Sequence, residues 1–389
     1  MKKLIQIQGI TIASEGNRTR VVGTICYDGQ MRTLWFEVPT EYGKYLCHER
    51  GDAFVVGLLP IAMRDHMDIQ CDVPVTDELL YQIRTYLIPS IAKHSTVLSA
   101  PVIDAPIAEG ALDNIGAVGT GLSCGVDSLH AIATHTKSPY SRMNITHLTL
   151  FNDGAFWKGD VQFSWQLNQA RKFCADYGYK LIETNSNLSE AFHTVHLYAH
   201  TYSDVFMVLL LQKFWGAYYY ASTGHDFSEF SIDDFATRKS CGSYDLLSLD
   251  CFSTRKLRFY SVGGAETRFE KVKLLLDYPP AWKYLNCCIQ VDGGNCSVCE
   301  KCKRTLLILD ALGAVDRFKG VFDVEHYRLH RKEYLQWLLR QKWVEGGDSM
   351  LREALESLGR TIPICIILRD KLSHLKYSAK KSVKRILGL

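Results

Sequence analysis

No apolar stretch in the 389 residues approaches the length of a membrane span, and Met1-Lys2-Lys3-Leu4 opens a strand with no apolar secretory core behind it. Both features predict a cytoplasmic protein. Basic charge is scarce as well. The formal net charge is only +3, and residues 369 to 389 hold seven Lys/Arg against one Asp, so the rest of the chain has no basic excess and nucleic acid is disfavoured as a substrate. No Gly-x4-Gly-Lys-Ser/Thr run exists, which excludes a Walker ATPase. The dinucleotide pattern begun by Gly119 and Gly121 would need Gly or Ala where Cys124 stands, which excludes a dehydrogenase. What is present is core material: 47% of residues are hydrophobic and 22% charged, as in a globular chain, and the length predicts two to three domains. Thirteen cysteines without export features imply a reducing compartment, where thiols serve metal binding, packing or catalysis rather than disulfides.

Residues 119 to 128, Gly-Thr-Gly-Leu-Ser-Cys-Gly-Val-Asp-Ser, carry the strongest local signal. Residues 114 to 118 read as a short buried strand, and Leu129, Ile132 and Ala133 follow helical spacing, so the run is a turn ending at a helix N-terminus. There the N–H groups from Cys124 to Ser128, the positive end of the helix dipole and the hydroxyls of Ser123 and Ser128 compose an anion site. Gly121 and Gly125 are expected to let the backbone approach the anion, and Cys124 is expected in an ordinary conformation that costs it little. Asp127 suits such a place if a divalent cation stands between its carboxylate and a phosphate, which implies magnesium. The plainer reading is a Gly/Ser turn capping a helix.

Cys296, Cys299 and Cys302 fall at two-residue gaps, with the pair Cys287-Cys288 a short Gly-containing loop upstream. Four soft ligands suit a closed, tetrahedral, structural zinc site; an iron–sulfur cluster is the alternative that sequence does not separate. Lone Cys124, Cys241 and Cys251 read as sulfur carriers or as buried packing residues.

The spelling Ser123-Cys124-Gly125-Val126-Asp127-Ser128 resembles the Ser-Gly-Gly-x-Asp-Ser loop of the PP-loop ATP pyrophosphatase superfamily, with Cys124 in place of the first Gly. The resemblance implies that Gly121, Leu122, Ser123, Cys124, Gly125, Val126, Asp127 and Ser128 grip the pyrophosphate end of ATP, with Ser123 and Asp127 catalytic. Such a loop followed roughly 160 residues later by the cysteine cluster resembles the 7-cyano-7-deazaguanine synthase group and its relatives, which activate a carboxylate with ATP. The Leu285-x-x-Cys288 frame resembles relatives with Leu-x-Val-Cys before an Asn-Cys-x-x-Cys-Glu-x-Cys segment. Cys288, Cys296, Cys299 and Cys302 are therefore the preferred metal ligands, with Cys287 the alternative to Cys288. Gly263-Gly264-Ala265-Glu266-x-Arg268-x-x-Lys271 resembles the Gly-Ala-x-x-Arg-x-x-Lys stretch of a less characterised branch, as does the end from Cys299 to Thr305. The likeness covers roughly residues 110 to 315.

Three regions are expected: an N-terminal β-rich module over 1–105, a PP-loop domain over 106–318 with the cysteine site at 288–302, and a C-terminal helical region over 319–389 with a basic amphipathic tail. Residues 3 to 38 alternate in short runs split by Glu15-Gly16-Asn17 and Asp28-Gly29, an antiparallel meander with Trp35, Phe36 and Val38 on its faces, and residues 40 to 95 look helical. From about residue 110 strand and helix alternate, which predicts an α/β doubly wound parallel sheet, the HUP-like fold of the PP-loop enzymes. Ligands bind at the carboxyl edge of such a sheet. The strand from His147 to Phe151 puts Phe151 and Asn152 on that edge, against adenine. A helix from about Ser203 to Trp215 leads to a strand from Ala217 to Ala221. After it, Ser222-Thr223-Gly224-His225-Asp226 resembles the Thr-Gly-His stretch of tRNA-modifying PP-loop enzymes, with Gly224 at the nucleotide and His225 at the reaction centre; a satisfied structural histidine is the plainer reading. Arg268 and Lys271 share a helical face and suit a triphosphate or substrate anion, or else are surface charge.

The expected chemistry is adenylation. A carboxylate or carbonyl oxygen attacks the α-phosphorus of ATP, pyrophosphate leaves, and ammonia or an amine displaces AMP from a small-molecule or peptide substrate. No glutaminase segment is visible, so the nitrogen donor is free ammonia or comes from a partner. A thiolation enzyme acting on a nucleoside or tRNA, and a non-catalytic nucleotide-binding module, are the alternatives. The basic tail suits an anionic membrane surface or a partner protein, against the plainer reading of a solvated terminal helix.

Overall fold

The computed structural model describes residues 3–152, 154–155, 160–221, 227–228, 230–232, 240–288, 293–341, 351–359, 362 and 366–367. The predicted Gly224, His225 and Asp226 and the basic tail lie outside them. Two compact units are formed, one from Met1–Ser123 and Asp127–Ala265, the other from Cys124–Val126 and Glu266–Leu389. Among the described residues, no helix is long and apolar enough to cross a membrane.

The first unit opens on the expected meander, strands β1 (Lys3–Glu15), β2 (Arg18–Tyr27) and β3 (Gln30–Pro39). The β2–β3 hairpin turns on Asp28 and Gly29, whose positive φ values of 49° and 77° match the right-handed twist of the flanking strands. Phe36 and Val38 point into the core, while Trp35 on the opposite face carries the Arg20 guanidinium 4.2 Å above its ring. Residues 40 to 95 are not wholly helical. The helix Asp52–Asp65 is followed by β4 (Met67–Cys71), which alternates buried and half-buried residues and pairs in parallel with β1. Five residues of period two were too short a signal against the helical sequence around them. The short strands β5 (Val75–Thr76), β6 (Ile103–Asp104) and β7 (Ile107–Ala108) follow; β5 and β7 pair with each other, and β6 joins β4.

The second sheet is parallel and five-stranded: β8 (Ala117–Gly121), β9 (His147–Leu150), β10 (Lys180–Glu183), β12 (Trp215–Ala221) and β13 (Arg258–Val262), in the order β10-β9-β8-β12-β13. Strand order reverses at β8. The remaining strand, β11 (Asn185–Ser186), leaves this sheet and pairs antiparallel with β3, completing the mixed order β11-β3-β2-β1-β4-β6. Both sheets share one buried core. Helix Asp52–Asp65, buried along nearly its whole length, packs on helix His196–Leu209. Gly57 sits so close to Phe206 that an added Cβ would lie 2.9 Å from its ring, and Phe54 meets Phe206 edge to face at 5.6 Å. Helix His196–Leu209 begins and ends earlier than the sequence pattern suggests, and Trp215 belongs to β12.

In the second unit, helix Arg268–Leu275 starts on a capping box in which Thr267 and Glu270 bond each other's backbone, and the Thr267 hydroxyl also donates to Glu353 at 2.8 Å. Asp310, on helix Glu300–Ala311, accepts from Tyr327 and Arg331 of helix Val324–Gln341, each at 2.7 Å.

His147, at the start of β9, is edge-on to Phe214 at 4.8 Å, and burial together with Lys180, its partner across the ladder, lowers its pKa from 6.5 to about 4. The folded state therefore favours the neutral ring. Its stabilising contribution is complete above pH 6.5 and is lost as the pH falls toward about 4, where the unfolded chain binds the proton first. We expect wild-type urea midpoints to drop across this interval and His147→Gln to flatten the drop.

Candidate functional site

Strand β8 extends further than its apolar residues suggest. The expected strand over 114 to 118 is displaced to Ala117–Gly121, and Gly119, Thr120 and Gly121 are laddered to β9 while Gly119 and Thr120 also pair with β12. Gly119 is required by packing, because an added Cβ would lie 2.6 Å from the Trp215 ring. The turn is thus confined to residues 122 to 125, and helix Val126–His135 follows immediately.

Within this turn the conformational burden is reversed from expectation. Cys124 has φ +57°, in the left-handed region, whereas Gly125 is not among the positive-φ glycines and Gly121 has room for a Cβ, its nearest neighbour being the Tyr218 hydroxyl at 3.9 Å. A left-handed conformation brings Cβ of an L-residue against its own carbonyl, at about 1–2 kcal/mol. That is the reason a glycine suits position 124, and the fully buried Cys124 side chain offsets part of the cost by packing. Leu122, Cys124 and Val126 are buried, while Ser123 is exposed and Gly125 and Asp127 are half-buried. The Ser123 carbonyl accepts from Gln166 Nε2 at 2.7 Å, and the Cys124 carbonyl from the Asn286 N–H at 2.8 Å. The Ser123 hydroxyl donates to Ser128 at 3.2 Å. The loop therefore lies at the carboxyl end of the strand where sheet order reverses, with Ser123, Gly125 and Asp127 reaching solvent. Gln166 has no local sequence signal, since its partner is 43 residues away.

Of the other predicted positions on this sheet, Phe151 is buried and stacks on Tyr218 with centroids 6.0 Å apart, and the Asn152 side chain is bonded to Asn185 at 3.1 Å. Arg268 and Lys271 lie one turn apart on their helix in the second unit. Lys271 is fully buried, so the surface-charge reading does not hold for it. Cys241 and Cys251 are buried in the first unit; desolvation raises both thiols, Cys251 to about 12, which leaves little thiolate to carry sulfur.

The sulfur atoms of Cys288, Cys296, Cys299 and Cys302 lie within 4.8 Å of one another, with Cys288 and Cys299 at 3.9 Å. Tetrahedral coordination at a metal–sulfur distance of about 2.3 Å gives sulfur–sulfur edges of about 3.8 Å, so the cluster fits a metal ion. Backbone N–H groups of Cys296 and Cys299 donate to the sulfurs of Cys288 and Cys296 at 3.5 and 3.3 Å. A hydrogen bond with Cys287, burial, and repulsion from the other sulfurs raise the Cys302 thiol, so a divalent cation is what allows the set to ionise together. Cys287 stands outside the four. Its one thiol proton has Asn295 Oδ1 and the Lys301 carbonyl as alternative acceptors, its sulfur accepts from Thr305, and a hydrogen bond from Cys302 lowers its pKa, with the Thr305 hydroxyl and the fields of Lys301 and Arg268 acting in the same direction.

Comparison with family models, curated proteins and solved structures finds no match.

Asn295 holds the cysteine loop, donating to the carbonyls of Leu285 and Val321 at 2.8 and 3.0 Å and accepting from the Cys287 N–H. Ser297, at φ +62°, accepts from the Asp323 N–H through its hydroxyl and from Tyr334 through its carbonyl. We expect Cys299→Ser to lose bound metal and order around the cluster, because such a site contributes on the order of 10 kcal/mol, whereas Cys287→Ser keeps its metal; elemental analysis separates them. For the loop, Cys124→Gly should be more stable than Cys124→Ala by about 1 kcal/mol in urea unfolding. Both remove the thiol, but only alanine retains the left-handed strain.

Proposed function

We propose that this protein is an adenylating enzyme of the PP-loop ATP pyrophosphatase superfamily, an AMP-forming ligase like the 7-cyano-7-deazaguanine synthase group. The observation that carries this reading is the loop from Leu122 to Ser128, between a central parallel strand and a helix N-terminus at the point of strand reversal, with Cys124, at the position of the first glycine of the superfamily's loop, in the left-handed conformation that glycine adopts at little cost. Strand order β10-β9-β8-β12-β13, in order of appearance 3-2-1-4-5, supports a doubly wound sheet.

In this reading the backbone N–H groups of the turn and the hydroxyls of Ser123 and Ser128 bind the pyrophosphate portion of ATP. An oxygen of the acceptor attacks the α-phosphorus, the bond to pyrophosphate breaks, and these donors stabilise the charge on the leaving group, each charged hydrogen bond contributing roughly 1.5–3 kcal/mol. Asp127 provides the carboxylate that would hold Mg2+, which supplies further charge neutralisation. Ammonia or an amine then attacks the adenylated carbon and releases AMP. The cysteine cluster supports a structural role for zinc, since four thiolates leave no position for substrate. Buried, raised thiols at Cys241 and Cys251 weigh against the sulfur-transfer reading.

Incubation with α-labelled ATP, magnesium and fractionated cell extract is expected to give AMP and pyrophosphate, and Asp127→Ala to lower the rate by about 10²–10³. ADP and phosphate as products would refute adenylation.

A further inference from the structure

We propose that His326 and His330 form a second metal site, which takes a divalent first-row transition ion through two imidazole nitrogens. The two residues stand four apart on helix Val324–Gln341, so their side chains share one face. Their rings stack with centroids 4.2 Å apart and planes 24° from parallel. Two imidazoles at neighbouring positions on an ion, each about 2.1 Å from it, have nitrogens about 3 Å apart. A small rotation of rings already this close reaches that separation. Imidazole suits nickel, copper and zinc, whereas magnesium and calcium take oxygen ligands.

Local hydrogen bonds prepare the pair as ligands. His330 Nδ1 lies 3.0 Å from the His326 carbonyl, which can only accept, so Nδ1 carries the proton of the neutral ring and the Nε2 lone pair is left for an ion. The His326 backbone N–H donates to Asp323 Oδ1 at 2.9 Å, and the Asp323 N–H to Ser297 Oγ at 2.9 Å. The start of the helix is thereby pinned to the cysteine loop. Asp323 also places a carboxylate where a cation would otherwise meet the positive end of the helix dipole. Neighbouring cations are held by other groups: Arg328 pairs with Asp316 and Glu325, Arg331 pairs with Asp310, and Lys303 lies over the Tyr334 and Trp337 rings at 5.7 and 6.0 Å. Both histidines are half-buried and Leu329 beside them is 82% exposed, so an ion reaches the pair from solvent. Two protein ligands leave the other coordination positions to water, unlike the closed four-sulfur cluster. The assignment does not require the nucleotide reading.

The test is equilibrium dialysis of the full chain, its cysteine cluster filled with zinc, against nickel ion at neutral pH. Bound nickel and zinc are read together by elemental analysis on wild type, His326→Gln, His330→Gln and His48→Gln. Wild type is expected to take up one nickel saturably while keeping its zinc. Either His326→Gln or His330→Gln should weaken that binding about tenfold or more, and His48→Gln, which removes a half-exposed imidazole from the first unit, should leave it unchanged. Nickel is also expected to protect both imidazoles of the wild type from diethyl pyrocarbonate, a readout that needs no variant to fold. Absence of saturable nickel or of this protection, nickel bound only as zinc leaves, undiminished affinity in either of the two variants, or an equal loss in His48→Gln would each overturn the site.

Discussion

The candidate loop depends on a strand of small residues, two of the five being glycine. β8 runs between β9 and β12 in a parallel ladder, and at Gly119 the space a Cβ would need is taken by Trp215 and Tyr218. Large aromatic residues on the neighbouring strand thus fill the space that Gly119 leaves. Thr120 adds a buried hydroxyl bond to the Tyr219 carbonyl at 2.8 Å. With the strand fixed in this way, its carboxyl end delivers the chain into a turn of only a few residues. Both the Ser123 and the Cys124 carbonyls are then held from outside the turn. A loop so constrained can hold Cys124 in a left-handed conformation that an isolated peptide would avoid.

The cysteine cluster follows a different logic. Close packing of thiols raises the cost of ionising all of them together, as the neighbouring sulfurs and burial do at Cys302, so the full set is stable as thiolates only around a cation. Preorganisation comes from neutral groups: Asn295 ties together three separate backbone positions, and Ser297 is anchored on both its hydroxyl and its carbonyl. Cys287, although adjacent in sequence to a ligand, is turned toward Asn295 and Thr305 instead.

Much of this was legible along the chain because it depends on local period or spacing. Asp28-Gly29 makes its hairpin, the alternation of β2 and β3 makes a two-sided sheet, and the two-residue gaps of Cys296, Cys299 and Cys302 place three sulfurs on one side of a tight loop. The choice of Cys288 over Cys287 came from a resemblance in the segment before the cluster, and the sulfur geometry agrees with it. β4 was not legible, since five alternating residues say nothing of the parallel partner 64 residues earlier.

By itself, then, the sequence determined the elements whose signals lie within a turn or two of chain: the meander, the succession of strand, turn and helix between residues 114 and 133, though not the strand's bounds, and the metal-binding thiols. Tertiary structure decided what rests on distant partners. It drew Gly119 and Gly121 into the sheet, because their ladders come from β9 and β12, and put the strain on Cys124, because the turn that remained was too short to place it elsewhere. It also buried Lys271, since burial belongs to the packing of several elements and not to any one segment.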